Sequence, residues 1–180
     1  MYGIVNKSIE DLVISNFGEE KWNAIHQRSG IEDDFFLSNE VYDDEVTFKL
    51  AIAVSEEMNM SLEDVLVAFG EWWVVKTTKM KYPGLMESGG DNLKDFLINL
   101  PNFHSRVMLI YPKLSPPEFK VSDITNDGLH LHYFSHRQGL QEFVKGIIKG
   151  LGIIYNVPVT SELIQSRNEG NTHEIFKINW

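Results

Sequence analysis

The chain has 180 residues, a length typical of one domain, and 43% of them are hydrophobic, which excludes gross disorder. Lys and Arg total 16 against 26 Asp and Glu, and the resulting charge of −10 disfavours nucleic acid and anionic membranes as partners. The absence of cysteine excludes disulfides, thiolate metal sites and thiol-linked cofactors. The sequence shows no membrane-spanning apolar run and no signal peptide, so we expect a soluble, cytoplasmic, single-domain protein.

Helical patterns dominate the first part of the chain. Ser8-Ile9-Glu10-Asp11 and Ser61-Leu62-Glu63-Asp64 resemble capping boxes, in which a hydroxyl and a carboxylate three residues apart open a helix. The helix after Ser61 places a set of apolar side chains on one face: Leu62, Leu66, Phe69 and Trp73. Residues 44–58 have a similar helical periodicity.

The second part combines helices with strands. Pro101 suits the first turn of a helix, so a new helix is expected over about 101–110. From Glu118 apolar residues alternate with polar ones, which predicts four strands. The first starts at Glu118, and the others cover Gly128–Ser135, Val157–Gln165 and His173–Trp180. An amphipathic helix is expected between the second and third strands, over about 140–154. Helices followed by an antiparallel sheet that one helix interrupts predict an α+β fold.

One strand carries a group suited to binding an acid. Residues two apart on an extended segment share a face, so Tyr133, Ser135 and Arg137 present a phenol, a hydroxyl and a guanidinium together. Arginine offers a bidentate fork to a carboxylate or phosphate, and the hydroxyls add directed donors. The alternative is a solvated strand face on which the arginine is incidental.

Histidines give weaker signals. His130 and His132 lie on the opposite face of that strand, where a His-x-His pair can chelate a metal, but no carboxylate partner is evident and an exposed face is the simpler interpretation. His104 lies among apolar residues of its helix, as a satisfied core histidine or as a ligand of a buried metal. Glycine-rich phosphate loops and catalytic motifs of known spacing are missing.

The order of these features is similar to that of a known family. His104, then Pro116-Pro117, then Tyr133-x-Ser135-x-Arg137 resembles the H-NOX (heme nitric oxide/oxygen binding) domain, which is also found in soluble guanylate cyclase. The similarity covers essentially the whole chain and implies that His104 is the axial iron ligand of a non-covalent b-type heme. It implies that Tyr133, Ser135 and Arg137 bind the heme propionates.

The resemblance also implies how the rest of the chain surrounds the heme. Pro117 presses on the porphyrin and distorts it, and Phe119 belongs to the heme-binding residues. A helical N-terminal subdomain of about residues 1–60 packs on a helix-and-sheet subdomain of about 61–180. The pocket on the gas-binding side matches another set of positions: Val5, Trp73, Val74, Phe143 and Ile147.

These positions indicate which gas binds. Dioxygen-binding members of the family carry a tyrosine on the helix after the Tyr-x-Ser-x-Arg element, because a hydrogen-bond donor stabilises the partial charge on bound dioxygen. Here that helix has no tyrosine before Tyr155, and the Trp73 indole is the only donor among the matched positions. The resemblance therefore implies a sensor of nitric oxide, with carbon monoxide as a further ligand, that binds little or no dioxygen.

Signalling is expected to reach a separate effector, a histidine kinase or a cyclic-di-GMP enzyme, when nitric oxide weakens or breaks the His104–iron bond. The alternatives are a dioxygen or redox sensor and a cofactor-free α+β interaction module. Catalysis such as peroxidase chemistry is not expected, because no histidine or arginine maps to the inferred gas-binding wall.

Overall fold

The computed structural model describes all 180 residues. The chain begins with four helices: α1 (Gly3–Phe17), α2 (Glu19–Ser29), α3 (Asp44–Met58) and α4 (Leu62–Trp72). The predicted cap of α4 is confirmed, since Ser61 Oγ accepts a hydrogen bond of 3.0 Å from the Asp64 amide. The cap predicted at Ser8 is wrong. Ser8 lies buried within α1, and its hydroxyl bonds instead to Thr77 Oγ1 at 2.6 Å.

A π-helical segment continues α4 without a break over Trp73–Thr78. Such a segment inserts one extra residue into the helical register and is frequent at functional sites. The Thr78 hydroxyl donates to the Trp73 carbonyl at 2.9 Å across it. Two short helices follow, α5 (Lys79–Lys81) and α6 (Pro83–Glu87).

The helix α7 (Leu93–Ile110) passes through Pro101, so the prediction of a new helix starting at that proline is wrong. Proline removes one backbone hydrogen bond from a helix interior. Leu97, Leu100 and Phe103, on both sides of Pro101, are buried in one hydrophobic cluster, and their burial offsets the missing bond.

Four antiparallel strands form one sheet, in the spatial order β1-β2-β4-β3. Their bounds are β1 (Glu118–Ser122), β2 (Gly128–Phe134), β3 (Thr160–Gln165) and β4 (Glu174–Asn179). The helix α8 (Gln141–Tyr155) lies between β2 and β3 in the chain, as predicted. The α+β prediction is confirmed. The third strand starts three residues later than predicted, after the Asn156 helix cap and the Val157–Val159 connection.

Two hydrophobic clusters make up the core. The first joins α1, α2, α3 and α4 around fully buried residues such as Ile25 and Leu50. The second joins α7, α8 and the sheet around Leu97, Ile148 and Phe176. Trp73 packs against both clusters. None of the helices combines the length and apolar character needed to cross a bilayer.

Candidate functional site

A cavity of about 250 Å³ opens between the two clusters. It is strongly apolar, since 23 of its 29 lining residues are hydrophobic. Ten of the eleven predicted site residues line it: Val5, Trp73, Val74, His104, Pro117, Phe119, Tyr133, Arg137, Phe143 and Ile147. Ser135, the eleventh, lies outside the lining, and its hydroxyl accepts a hydrogen bond of 3.1 Å from the Arg137 amide.

The helix α7 holds the His104 ring in one orientation. Its Nδ1 lies 3.0 Å from the Leu100 carbonyl. A carbonyl only accepts, so Nδ1 carries the proton and Nε2, which has no protein partner, keeps its lone pair. Burial lowers the pKa of His104, an effect that the Leu100 carbonyl only partly opposes. The imidazole is therefore neutral at pH 7 and suited to bind a metal through Nε2.

Aromatic rings surround this imidazole. Phe119 stacks on it at a centroid distance of 5.3 Å, and Phe103 meets it edge-on at 5.7 Å. Phe119 also contacts the Tyr133 ring, at 5.4 Å. These contacts restrict the rotation of the His104 ring, which is half-buried.

Arg137 is the only side chain in the cavity lining with a permanent charge. Its Nε donates to Asp44 Oδ2 at 2.6 Å, and its Nη1 donates to the Ser115 carbonyl at 3.0 Å. Burial raises the pKa of Asp44, but hydrogen bonds from Arg137 and from the Met1 amino group outweigh it and leave that pKa below its usual value. No local pattern points to Asp44, because it lies 93 residues away from Arg137 in the chain.

Tyr133 supplies a neutral donor beside this guanidinium. It is buried and paired in register with Phe119 on one side and Glu174 on the other. Burial raises the pKa of Tyr133, and the smaller opposing effect of the Ser135 hydroxyl does not reverse it. The phenol therefore keeps its proton at neutral pH and donates to any acid placed there.

Three further tyrosines line the cavity, which sequence reasoning missed. The hydroxyls of Tyr82 and Tyr111 bond to each other, and Tyr2 Oη accepts from the Lys113 amide at 3.0 Å. The Tyr2 and Tyr111 rings lie 4.7 Å apart. Burial, and secondly the Tyr82 hydroxyl, raise the pKa of Tyr111. All three hydroxyls thus have protein partners, but no signal within short stretches of sequence places residues 2, 82 and 111 together.

The histidines on the outer face of the sheet each have a polar protein partner. His130 Nδ1 lies 3.0 Å from Asp123 Oδ2, and His132 bonds to both Ser122 Oγ and His173 Nε2, each at 2.9 Å. No group of three or more His, Cys, Asp or Glu side chains is arranged to hold a metal ion. His130, His132 and His173 are half-buried, so this face is less exposed than the sequence alone predicts.

Comparison with known proteins gives the family. A sequence model of the family described as Haem-NO-binding matches residues 2–163. The chain belongs to the H-NOX family.

Solved structures of H-NOX proteins share the fold. An S. oneidensis H-NOX protein in the Fe(II)NO ligation state superposes with a TM-score of 0.88 at 21% identity, covering 99% of this chain and 98% of that one. An Fe(II) unliganded H-NOX protein from K. algicida superposes with a TM-score of 0.83 at 27% identity, covering 99% and 96%.

Curated relatives are longer proteins. Soluble guanylate cyclase gcy-32 of Caenorhabditis elegans is 30% identical over 96% of this chain and 26% of the cyclase. Soluble guanylate cyclase 89Db of Drosophila melanogaster is 24% identical over 94% and 25%. The H-NOX chain thus spans about a quarter of the length of these relatives.

The residues in the cavity fit a heme. An iron porphyrin is flat and apolar except for two carboxylates, and the cavity is apolar apart from a few placed polar groups. His104 Nε2 offers an unprotonated nitrogen to iron, while Arg137 and Tyr133 offer a cation and a donor to carboxylates. The lining itself contains no carboxylate, and the nearby Asp44 carboxylate is paired with Arg137, which donates to it from Nε at 2.6 Å and from Nη2 at 3.3 Å.

Proposed function

We propose that this H-NOX domain is a nitric oxide sensor that holds a b-type heme, iron protoporphyrin IX, through His104. The observation that carries the proposal is the half-buried imidazole, with its free Nε2, in an apolar cavity whose one permanently charged side chain is Arg137. A heme held by His104 would supply a ferrous iron able to bind nitric oxide, and the His104–iron bond would be the one to weaken or break.

The protein's own residues provide the rest of the mechanism. The hydrogen bond from His104 Nδ1 to the Leu100 carbonyl orients the ring, so Nε2 has one fixed direction. Arg137, Tyr133 and Ser135 hold the propionate edge, with Arg137 itself aimed by Asp44. A ligand shifts a conformational equilibrium only by its differential affinity for the two states, and the His104 bond is where that difference arises.

Pro117 has a separate role in this proposal. It lines the cavity two residues before Phe119, which stacks on His104. Its rigid ring would contact a bound porphyrin and oppose a planar macrocycle, and this contact would ease if His104 were released. A crystal structure of the Pro117→Ala variant should show a flatter porphyrin, and an unchanged porphyrin would contradict this role.

Selectivity against dioxygen follows from the gas-binding wall. Val5, Val74, Phe143 and Ile147 line the cavity without a hydrogen-bond donor. The Trp73 indole, the one donor of the predicted set, has no protein partner.

One experiment tests nitric oxide sensing and selectivity together. The absorbance spectrum of the reduced protein is recorded without air, after addition of nitric oxide, and separately after exposure to air. We expect a heme spectrum, then a spectrum that reports loss of the His104 bond, and no stable complex in air. A stable dioxygen complex would favour the dioxygen-sensor alternative, and a colourless protein would favour the cofactor-free module.

The Phe143→Tyr variant tests the selectivity argument directly. Phe143 lies at the cavity wall, its ring centroid 4.9 Å from that of Phe69, so a phenol at this position adds a donor to a wall that otherwise offers only the Trp73 indole. We expect dioxygen affinity to rise by about tenfold or more, as for a hydrogen bond to developing charge, while nitric oxide binding changes little. Equal changes for both gases would contradict the argument, and Phe69→Tyr, which lies outside the cavity lining, is the matched control.

The effector is a separate histidine kinase or cyclic-di-GMP enzyme in this proposal, and the domain acts as a sensor without catalysis of its own. His104 is the only imidazole in the cavity lining, and no carboxylate is there to act as general acid or base. The division into subdomains at about residue 60 and the cytoplasmic location stay predictions.

A further inference from the structure

Arg167 lies just outside the candidate heme site and makes an unusually complete set of bonds. Its Nε donates to both carboxylate oxygens of Glu174 at 2.8 Å. Its Nη1 donates to the Ser135 carbonyl, and its Nη2 donates to the Arg137 carbonyl at 2.8 Å. The side chains of Arg167 and Glu174 are only 18% and 3% exposed, so solvent does not compete for these bonds.

The backbone that Arg167 holds has no strand partner. Tyr133 is fixed by the sheet, because it pairs with Phe119 on β1 and with Glu174 on β4. The strand ends at Phe134, and residues 135–137 extend beyond the ladder. Their carbonyls at Ser135 and Arg137 bond to the Arg167 fork in place of a neighbouring strand.

We propose that Arg167, held by Glu174, is a positioning residue that fixes the Ser135–Arg137 backbone so that these side chains bind the heme propionates. Arg167 does not line the cavity, so it acts through the backbone and not by touching the heme. The inference rests on the proposed function, since it gives a role to the support of the proposed propionate site.

The proposal depends on the shape of the guanidinium as well as its charge. One planar fork reaches a carboxylate and two carbonyls at fixed angles, whereas a lysine ammonium at the same position is a point charge that cannot span all three. Arg167→Lys therefore keeps a cation beside the buried Glu174 but frees the two carbonyls.

The test compares iron protoporphyrin IX with its dimethyl ester, which has no free carboxylates. Each is loaded into the 180-residue chain, and its transfer to excess apomyoglobin is timed. The variants are Arg167→Lys and the double variant Arg167→Gln with Glu174→Gln, which leaves no unpaired buried charge if the lysine variant fails to fold. Arg28→Lys is the matched control, because Arg28 forms a similar bond to Glu57 away from the cavity, with its Nη2 3.0 Å from Glu57 Oε2.

We expect both Arg167 variants to lose heme on the order of tenfold faster than the wild type and the Arg28→Lys control, the size expected for lost hydrogen bonds to charged groups. Loss of the dimethyl ester should be unchanged by every substitution. Equal acceleration for heme and ester would show a general loss of packing and overturn the proposal, as would no acceleration. If the wild type binds heme and the Arg167 variants release it at the wild-type rate, this inference alone is contradicted. If the wild type binds no heme, the proposed function is contradicted as well.

Discussion

At position 104 the neighbouring residues decide which nitrogen of the imidazole is free. The Leu100 carbonyl takes the Nδ1 proton, and Phe119 and Phe103 enclose the ring. The sequence alone left this histidine as either a core residue or a ligand, because both environments are apolar. A free Nε2 on the wall of a cavity favours the ligand, since a core histidine has partners for both nitrogens.

Removal of the imidazole tests this assignment. His104→Gly should lose heme during purification, and imidazole added to the buffer should restore heme binding by occupying the vacated position. The measurement is heme absorbance after gel filtration with and without imidazole. Unchanged heme retention without imidazole would contradict the assignment. The control is His26→Gly, because the His26 ring bonds to the Asp33 carbonyl and lies outside the cavity lining.

The carboxylate of Asp44 predicts a pH dependence. Its pKa in the folded protein lies below the usual 3.8, because the bonds from Arg137 and Met1 outweigh the effect of burial. The unfolded chain therefore binds this proton first as the pH falls. The stabilisation is complete above the usual pKa and is lost as the pH falls through the lowered pKa of the folded state.

Asp44→Asn should therefore destabilise the protein at pH 7 and reduce the loss of stability on acidification. Urea midpoints measured from about pH 7 to about pH 2 check this expectation. The exposed Asp34→Asn serves as the control. Parallel pH curves for the wild type and Asp44→Asn would contradict the role of the Asp44–Arg137 pair.

At the scale of helices and strands, local signals predicted what depends on local contacts. The Ser61 cap is confirmed because a serine and the amide three residues later form it alone. The Ser8 pattern has the same residue types, but its hydroxyl bonds to Thr77, 69 residues away, within an earlier helix. The prediction that a new helix starts at Pro101 is wrong for a similar reason, since only the tertiary burial of Leu100 and Phe103 shows that the helix continues through the proline. Asp44 and Arg167 were missed because their partners are distant in sequence.

The crossing of α4 and α8 gives a prediction at this scale. These helices touch through backbone, and a Cβ on Gly146 would lie 2.1 Å from the Val67 carbonyl oxygen and 3.0 Å from Gly70 Cα. Gly146→Ala must push the helices apart and move the cavity wall that Phe143 and Ile147 form.

We expect Gly146→Ala to lower the free energy of unfolding by about 1–3 kcal/mol, as for overpacking elsewhere. The matched control is Gly84→Ala, because a Cβ there meets nothing within 4 Å. Gly84→Ala should change the free energy of unfolding by no more than about 1 kcal/mol. The expected direction is stabilising, because Gly84 lies in a helix and alanine suits a helical backbone better than glycine does. Urea unfolding of the heme-free protein measures both, and similar values for the two variants would contradict the packing argument.

At the scale of the whole molecule, the cavity joins the two hydrophobic clusters. Phe143 packs against the first cluster and Phe103 belongs to the second, and both line the cavity. The order of His104, Pro117 and the Tyr-x-Ser-x-Arg element predicted the family, but no pattern in the sequence predicted the size of the cavity or the tyrosines at its edge.

Heme should therefore stabilise both clusters together. At a free heme concentration 100 times its dissociation constant, mass action adds about 2.7 kcal/mol to the free energy of unfolding, which raises Tm by roughly 5–10 °C for a chain of this size. Calorimetry of the heme-free and heme-loaded protein measures the shift, with His104→Gly as the variant expected to lose most of it. A heme-loaded protein that melts in two steps, with only one shifted, would contradict this coupling.

The proline inside α7 also bears on how stiff that helix is. Pro101 has no amide hydrogen, so the Leu97 carbonyl lacks its usual helical partner one turn before His104. Bending at this point breaks no backbone bond, and the helix is more compliant there than elsewhere along its length. If His104 binds iron as proposed, a small displacement of its ring would tilt the final turns of α7, most of all at the solvent-facing end, where Leu109 is 82% exposed.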